Sequence, residues 1–152
     1  MSPIDLHTAY LKTTYWVEAR PQPLALRIDE RSARLDRTLG ERGASRWAFL
    51  TAWNPRSERR PRWDNAGRDR QLLRVLRSSG WHWLNAVAQG DGDDWPAEPG
   101  VLVLGMGRIQ ARRLGRRFRQ HAVVVGERGK TARLVWCGKT VRRESELPRL
   151  VD

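Results

Sequence analysis

Residues 46–53 form an almost uninterrupted apolar run, and this run limits what the chain can fold into. The segment reads R-W-A-F-L-T-A-W, with large apolar residues at Trp47, Phe49, Leu50 and Trp53. A strand with one face in water alternates apolar and polar residues, whereas a run as complete as this one needs cover on both faces. We therefore predict a central strand over residues 46–53 of a layered fold.

Apolar periodicity and helix-breaking residues divide the rest of the chain into strands and helices. Two further buried strands are predicted over 101–104 and 122–125. Helices are predicted over residues 30–41, 65–79 and 108–118. Because strands alternate with helices, and residues 14–28 fit a hairpin, we predict an α/β fold: a layered sandwich with a mixed, mainly parallel central sheet and flanking helices. Phe49, Leu102 and Val124 should be buried in it.

The length and composition fit one domain. A chain of 152 residues with 39% hydrophobic residues is the size of a single domain. We assign residues 1–138 to it and residues 139–152 to a peripheral tail. No run approaches the roughly 18 apolar residues of a membrane span, and the N-terminus lacks a signal-peptide pattern. The single Cys137 fits a reducing compartment, so we expect a cytoplasmic protein without a membrane partner.

The net charge of +12 suggests a polyanionic partner, although an arginine-rich composition can also reflect codon bias. Residues 108–119 contain six arginines and no acidic residue, whereas the loop before them is acidic. On the helix predicted over 108–118, Ala111, Leu114 and Phe118 share one side and the arginines cover the other. The outer side could bind nucleic acid non-specifically, but a solvated helix face is the commoner case. The arginines concerned are Arg112, Arg113, Arg116 and Arg117.

Polar residues follow the central strand, at the strand end where ligands bind in open α/β sheets. Asn54 and Ser57 lie in the turn, and Asn65 and Arg68 share one face at the start of the next helix. An amide and a guanidinium at a helix N-terminus suit an anion. Turn chemistry explains Asn54 and Ser57 about equally well.

Two more sites are possible on chemical grounds. One lies where a buried strand joins a helix, at Gly105, Gly107 and Arg108, whose backbone amides and side chain could bind an anion. The dinucleotide-binding pattern is incomplete there, because Gln110 replaces its third glycine. Close packing also explains the two glycines. Glu98 follows Trp95 and could have a raised pKa as a general acid or base, but most such acids only cap a turn. The three histidines have no ligand spacing, so we expect no metal and no cofactor.

Several short motifs follow one another in a fixed order. They are A-Y-L-x-T-x-Y over 9–15, T-A-x-N-P-x-S over 51–57, N-x-x-R over 65–68, W-x-x-E-P over 95–99 and Q-x-A over 120–122. Together they resemble a bacterial family of domains of unknown function, number 3293, over about residues 6–125. The resemblance implies no known activity, but it implies a site at the family's polar positions. These positions are Asn54, Ser57, Asn65, Arg68, Glu98 and Gln120.

Three residues depart from the family pattern, and these departures would alter a ligand site. Gly100 stands where the family has serine, and Arg119 and His121 stand in place of an acidic residue and asparagine beside Gln120. Our leading prediction is nevertheless one pocket for an anionic or nucleotide-like small molecule at residues 54–57 and the other polar positions. Nucleic-acid binding by the helix over 108–118 is the alternative. The sequence decides neither whether the protein is an enzyme nor its oligomeric state.

Overall fold

A computed structural model describes residues 3–92 and 95–138, and all seven strands in these ranges join one sheet. The strands are β1 (Thr13–Val17), β2 (Leu24–Leu26), β3 (Arg46–Leu50), β4 (His82–Gly90), β5 (Glu98–Leu104), β6 (Ala122–Glu127) and β7 (Arg133–Trp136). The α-helices are α1 (Pro3–Leu11), α2 (Ala33–Glu41), α3 (Arg62–Ser78) and α4 (Arg108–Arg117). None of these helices is long and apolar enough to cross a membrane. The predicted tail, residues 139–152, lies outside the described residues.

Every pairing between these strands is antiparallel, in the order β2-β1-β4-β5-β3-β6-β7. The prediction of a mixed, mainly parallel sheet is therefore wrong. β3 does lie inside the sheet, between β5 and β6. The predicted burial of Phe49, Leu102 and Val124 is confirmed, since each is at most 4% exposed.

Two helical crossovers explain the error. α3 leads from β3 to β4, and α4 leads from β5 to β6. Each crossover joins two strands that run in the same direction, but each skips one position in the sheet, as in split β-α-β units. β5 fills the position between β3 and β4, and β3 fills the position between β5 and β6. The alternation of strands and helices is thus real, but the inserted strands make every neighbour antiparallel.

The sheet separates two apolar cores. On the outer face, which we define as the face under α3 and α4, the helices bury Leu72, Leu76 and Ala111 against β3, β5 and β6. On the inner face, α2 buries Leu35 and Leu39 against the other side of the same strands. Successive side chains of β3 alternate between these cores, which explains why its sequence is apolar at every position after Arg46.

The sheet curls into a half-barrel around the inner face. Its two edges meet where Ile28, after β2, forms an isolated bridge with Ala132, before β7. The backbone N–H of Asp29 donates to the carbonyl of Ala132 at 2.8 Å, and the N–H of Ala132 donates to the carbonyl of Glu30 at 3.0 Å. Ile28 and Ala132 are both buried in the inner core, so the curl encloses it.

One glycine determines how closely α4 approaches the sheet. A Cβ at Gly115 would overlap the Sγ of Cys137 and lie 2.8 Å from a methyl group of Val123. Cys137 is completely buried, and this burial raises the pKa of its thiol to about 11. Gly67 in α3 differs, because the nearest atom to a Cβ there is the end of the Arg70 side chain at 3.7 Å.

Candidate functional site

A cavity of about 340 Å³ lies at one end of the inner face, beside α1 and the loop that follows β3. Its volume is at the lower end of the range for small-molecule sites. Glu98 is the only charged side chain among the described residues that line it. The other lining residues are Leu6, Ala9, Tyr10, Thr13, Tyr15, Phe49, Thr51, Asn54, Ser57, Ala88, Gly90, Trp95, Gln120, Ala122, Val123 and Val124.

The loop after β3 has an unusual backbone conformation. Asn54, Arg56 and Ser57 have positive φ angles of 47°, 56° and 60°. Residues other than glycine rarely adopt this left-handed region, which persists only where the surroundings hold it. The loop is held partly by the turn between α4 and β6, because the N–H of Arg56 donates to the carbonyl of Arg119 at 2.7 Å. Such strain is commonly stored at functional sites.

Two buried asparagines anchor this loop. Asn54 is 5% exposed and Asn65, in the first turn of α3, is 1% exposed. The backbone N–H of Asn54 donates to Oδ1 of Asn65 at 2.8 Å, and Nδ2 of Asn65 donates to Oδ1 of Asn54 at 2.9 Å. The same Oδ1 of Asn54 accepts the N–H of Arg60 at 2.9 Å. Asn54 therefore has a fixed orientation, with its Nδ2 group directed at Glu98.

Glu98, in β5, is the acidic group of the cavity. Its Oε2 accepts hydrogen bonds from Nδ2 of Asn54 at 2.7 Å and from Nε1 of Trp95 at 2.5 Å. Burial raises the pKa of Glu98 above its ordinary value, and these two hydrogen bonds lower it part of the way back. Because both donors use Oε2, no described residue donates to Oε1. Oε1 therefore has unused acceptor capacity toward the described residues.

Aromatic side chains line the same cavity as this carboxyl group. Tyr15 packs edge-on against Phe49, with 4.8 Å between the ring centroids. Burial raises the pKa of both Tyr10 and Tyr15, and the negative charge of Glu98 raises them further. Trp95 contacts this carboxyl group directly through the indole N–H.

The structure brings together most of the polar residues that the sequence selected. Asn54, Ser57, Glu98 and Gln120 line the cavity, and Asn65 lies directly beneath it through its bonds to Asn54. Nε2 of Gln120 donates to the carbonyl of Trp53 at 3.1 Å, which ties the loop to the cavity wall.

Arg68 is the exception. Its guanidinium lies 3.4 Å from the carboxylate of Asp64, one turn earlier in α3, and it is not among the residues that line the cavity. The geometry therefore does not support the predicted partnership of Arg68 with the other polar positions around an anion.

The second predicted anion site is occupied by the protein's own side chains. Oε1 of Gln110 accepts the N–H of Gly107 at 2.9 Å, so Gln110 caps the start of α4. The guanidinium of Arg46 donates to the carbonyl of Gly105 at 3.0 Å and covers Gly107 so closely that a Cβ there would lie 2.9 Å from it. Gln110, at the position of the missing third glycine, thus uses the amide that a phosphate would need. Arg108 is exposed beside this turn.

Sequence reasoning missed the tyrosines. Tyr10 and Tyr15 are both part of the A-Y-L-x-T-x-Y motif, so the motif pointed to them without indicating a role. The absence of a side chain at Gly100 has a local reason, since a Cβ there would lie 2.6 Å from the ring of Phe49 and from the carbonyl of Leu50. In this chain the Phe49 ring takes the space that a serine side chain would need.

The fold and the cavity define a class: a small protein with a curled antiparallel seven-stranded sheet, four α-helices and a cavity lined by one carboxylate and several aromatic side chains. The model of the family described as Protein of unknown function (DUF3293) matches residues 50–123 of the chain. The family predicted from the motifs is therefore confirmed. No curated protein and no solved structure gives a significant match. Among the described residues, no group of His, Cys, Asp and Glu side chains is placed to hold a metal ion.

Proposed function

We propose that the cavity binds a small molecule that carries a positively charged amino group on an apolar body. The observation that carries this proposal is the environment of Glu98. Its carboxyl group is partly shielded from water, has one oxygen to which no described residue donates, and shares the cavity with Tyr10, Tyr15 and Trp95.

The electrostatics of the cavity favour a cation. A carboxylate removed from water is costly unless a positive charge or several donors compensate it. The two hydrogen bonds to Oε2 compensate Glu98 only in part, since the pKa of its carboxyl group remains raised. An ammonium group at Oε1 would add an opposite charge and a charge-assisted hydrogen bond.

The aromatic rings favour the same class of ligand. The faces of tryptophan and tyrosine attract cations, and pockets lined by such rings recognise alkylated ammonium groups. Trp95 already has a cation close to its ring, because the guanidinium carbon of Arg59 lies 5.4 Å from the ring centroid. An anionic or nucleotide-like ligand, as predicted from the sequence, would need a cation in the wall, and the described lining supplies none.

Glu98 is also the residue to which acid–base chemistry would be assigned. A carboxyl group with a raised pKa can exchange protons closer to neutral pH than an exposed one. The proposal of binding does not require turnover, and the role of Glu98 as a general acid or base stays a prediction.

A thermal-shift comparison of three probes with one apolar body tests the proposal. The probes are 2-phenylethylamine, its neutral alcohol counterpart and the corresponding carboxylate. With a Kd near 1 mM, about 10 mM amine would stabilise the folded protein by about 1.4 kcal/mol, a shift of a few degrees in Tm. We expect this shift for the amine and a smaller one or none for the other two probes.

Two variants make the comparison specific. Glu98→Gln keeps an oxygen for the Asn54 and Trp95 donors but presents an amide where Oε1 was, so the amine shift should be abolished. Glu58→Gln removes an exposed carboxylate from the neighbouring loop and should keep it. An equal amine shift in Glu98→Gln, or a larger shift with the carboxylate probe, would exclude a cation site at Glu98.

A further inference from the structure

The excess positive charge of the chain is concentrated in one layer of the molecule. The segments 56–78 and 108–119, which contain α3 and α4, hold fourteen arginines and three acidic residues, a net charge of +11 out of +12. The rest of the chain holds 15 basic and 14 acidic residues. Because both helices pack on the outer face of the sheet, their exposed sides form a basic layer.

Helix geometry aligns exposed side chains of α3 away from the sheet. Leu72 and Leu76 are buried, so residues half a turn away from them point outward. Trp63 begins this outward line and is 76% exposed. The exposed arginines that follow on the same line are Arg70, Arg74 and Arg77.

α4 repeats this arrangement. Ala111 and Gly115 are buried against the sheet, and Ile109 begins the outward line at 71% exposure. The exposed arginines that follow are Arg113 and Arg116, whereas Nε of Arg112 donates to the carbonyl of Trp136 at 3.1 Å. α4 contains no acidic residue.

Nearby acidic groups that the structure describes form no salt bridge with these arginines, although the charge of Arg70 partly offsets the rise that burial causes in the pKa of Asp69. Asp64 is engaged by Arg68 at 3.4 Å and by Arg60 at 4.0 Å, at the base of α3. Among the described residues, none of the outward arginines lies within 4.0 Å of a carboxylate. Asp91, from the acidic loop, pairs with Arg27 at 2.9 Å, and residues 93 and 94 lie outside the described ranges.

We propose that this basic layer binds single-stranded nucleic acid. Two lines of arginines spread over two helices suit a chain of regularly spaced phosphates, whereas a small anion needs groups that converge on one point. The exposed ring of Trp63 distinguishes between single strands and duplexes. An unpaired base can stack on an indole, but a base inside a duplex does not present its face. The proposal is independent of the cavity and of its ligand.

The test is the anisotropy of a labelled oligothymidylate, titrated with the full chain at several salt concentrations. One quadruple variant replaces Arg70, Arg74, Arg113 and Arg116 by alanine. A matched control replaces Arg37, Arg42, Arg128 and Arg133, which are exposed outside the basic layer, and removes the same charge. We expect the affinity of the first variant to fall at least tenfold. The slope of log affinity against log salt should become shallower by about 0.7 for each phosphate that the variant no longer neutralises.

Trp63→Ala separates stacking from charge. Without a base stacked on Trp63, binding should weaken about fivefold or more while the salt slope stays the same. The proposal would be overturned by equal weakening in the two quadruple variants or by an unaffected affinity in Trp63→Ala. A duplex of the same length that binds as tightly as the single strand would also overturn it, as would binding to anionic lipid vesicles without binding to the oligonucleotide.

Discussion

Asn54 and Asn65 satisfy each other's polar groups through two reciprocal hydrogen bonds, of 2.8 Å and 2.9 Å, in the interior between the loop and α3. One bond uses the backbone N–H of Asn54, so the pair holds the main chain of a strained loop as well as a side chain. Through Asn54 the pair also orients Glu98. The position of the carboxylate in the cavity therefore depends on a residue that does not line it.

Replacing Asn65 by alanine should destabilise the fold by about 2–4 kcal/mol, because it leaves the N–H and the Oδ1 of Asn54 short of partners in a buried site. Urea unfolding measures the difference. Asn85→Ala is the control, since Asn85 is exposed and makes one long side-chain hydrogen bond of 3.4 Å. A destabilisation within about 0.5 kcal/mol of that control would mean that water or a rearranged loop replaces the bonds of Asn65.

Glu98→Gln should become more stable relative to the wild type as pH rises. The pKa of Glu98 is raised in the folded state, so folding favours its neutral form. This contribution is fully present below the unfolded pKa and is lost as pH rises through the folded pKa, while glutamine stays neutral. Urea unfolding of both proteins between about pH 4 and pH 8 measures the difference. A difference that is constant or that shrinks with rising pH would contradict the assignment.

Alanine substitution at two helical glycines should have opposite effects. Gly67→Ala has room for a methyl group, and it should stabilise the protein by about 0.5–1 kcal/mol through helix propensity. Gly115→Ala forces a methyl group against Cys137 and Val123, and it should cost about 1–3 kcal/mol.

A double-mutant cycle identifies the cause of the second effect. Removing the sulfur with Cys137→Ala should recover part of the stability that Gly115→Ala removes, because the two side chains compete for one space. Additive destabilisation in thermal or urea unfolding would show that α4 moves away from the sheet instead.

Cys137 should be unreactive in the native protein. Its thiol is fully buried and burial raises its pKa to about 11, so little thiolate is present at neutral pH. Labelling with a chromogenic disulfide near neutral pH should be slow without urea and fast in unfolding concentrations of urea. Fast labelling of the folded protein would indicate that α4 opens from the sheet on the timescale of the assay.

The sequence was a good guide to where strands and helices lie but not to how strands pair. The apolar run beginning at Arg46 correctly indicated a strand buried on both faces, because burial acts on each residue separately. Whether neighbouring strands are parallel or antiparallel depends on which strand fills the gap in the sheet between the two strands that a helical crossover connects. For β3 and β4 that strand is β5, which follows later in the chain, and its apolar residues would suit either direction.

The polar part of the site was easier to predict than its chemistry. Asn54 and Glu98 lie in motifs that end at a turn or at a strand start, so their convergence could be expected. The prediction of an anionic ligand depended on Arg68. The structure pairs the Arg68 side chain with Asp64 of the same helix, and the sequence did not show that Arg68 would turn toward Asp64 and not toward the cavity. The contribution of Tyr10 arises from the packing of α1 over the inner face, which no local pattern specifies.

The bridge between Ile28 and Ala132 has a consequence for association between molecules. Unpaired strand edges are templates on which another chain can add a strand and begin to aggregate. Here the outermost strands, β2 and β7, have only three and four residues, and the backbone beside them is already hydrogen-bonded through Asp29, Glu30 and Ala132. A second copy would find little free backbone to extend, so concentrated protein should resist edge-to-edge polymerisation even though its sheet has seven strands.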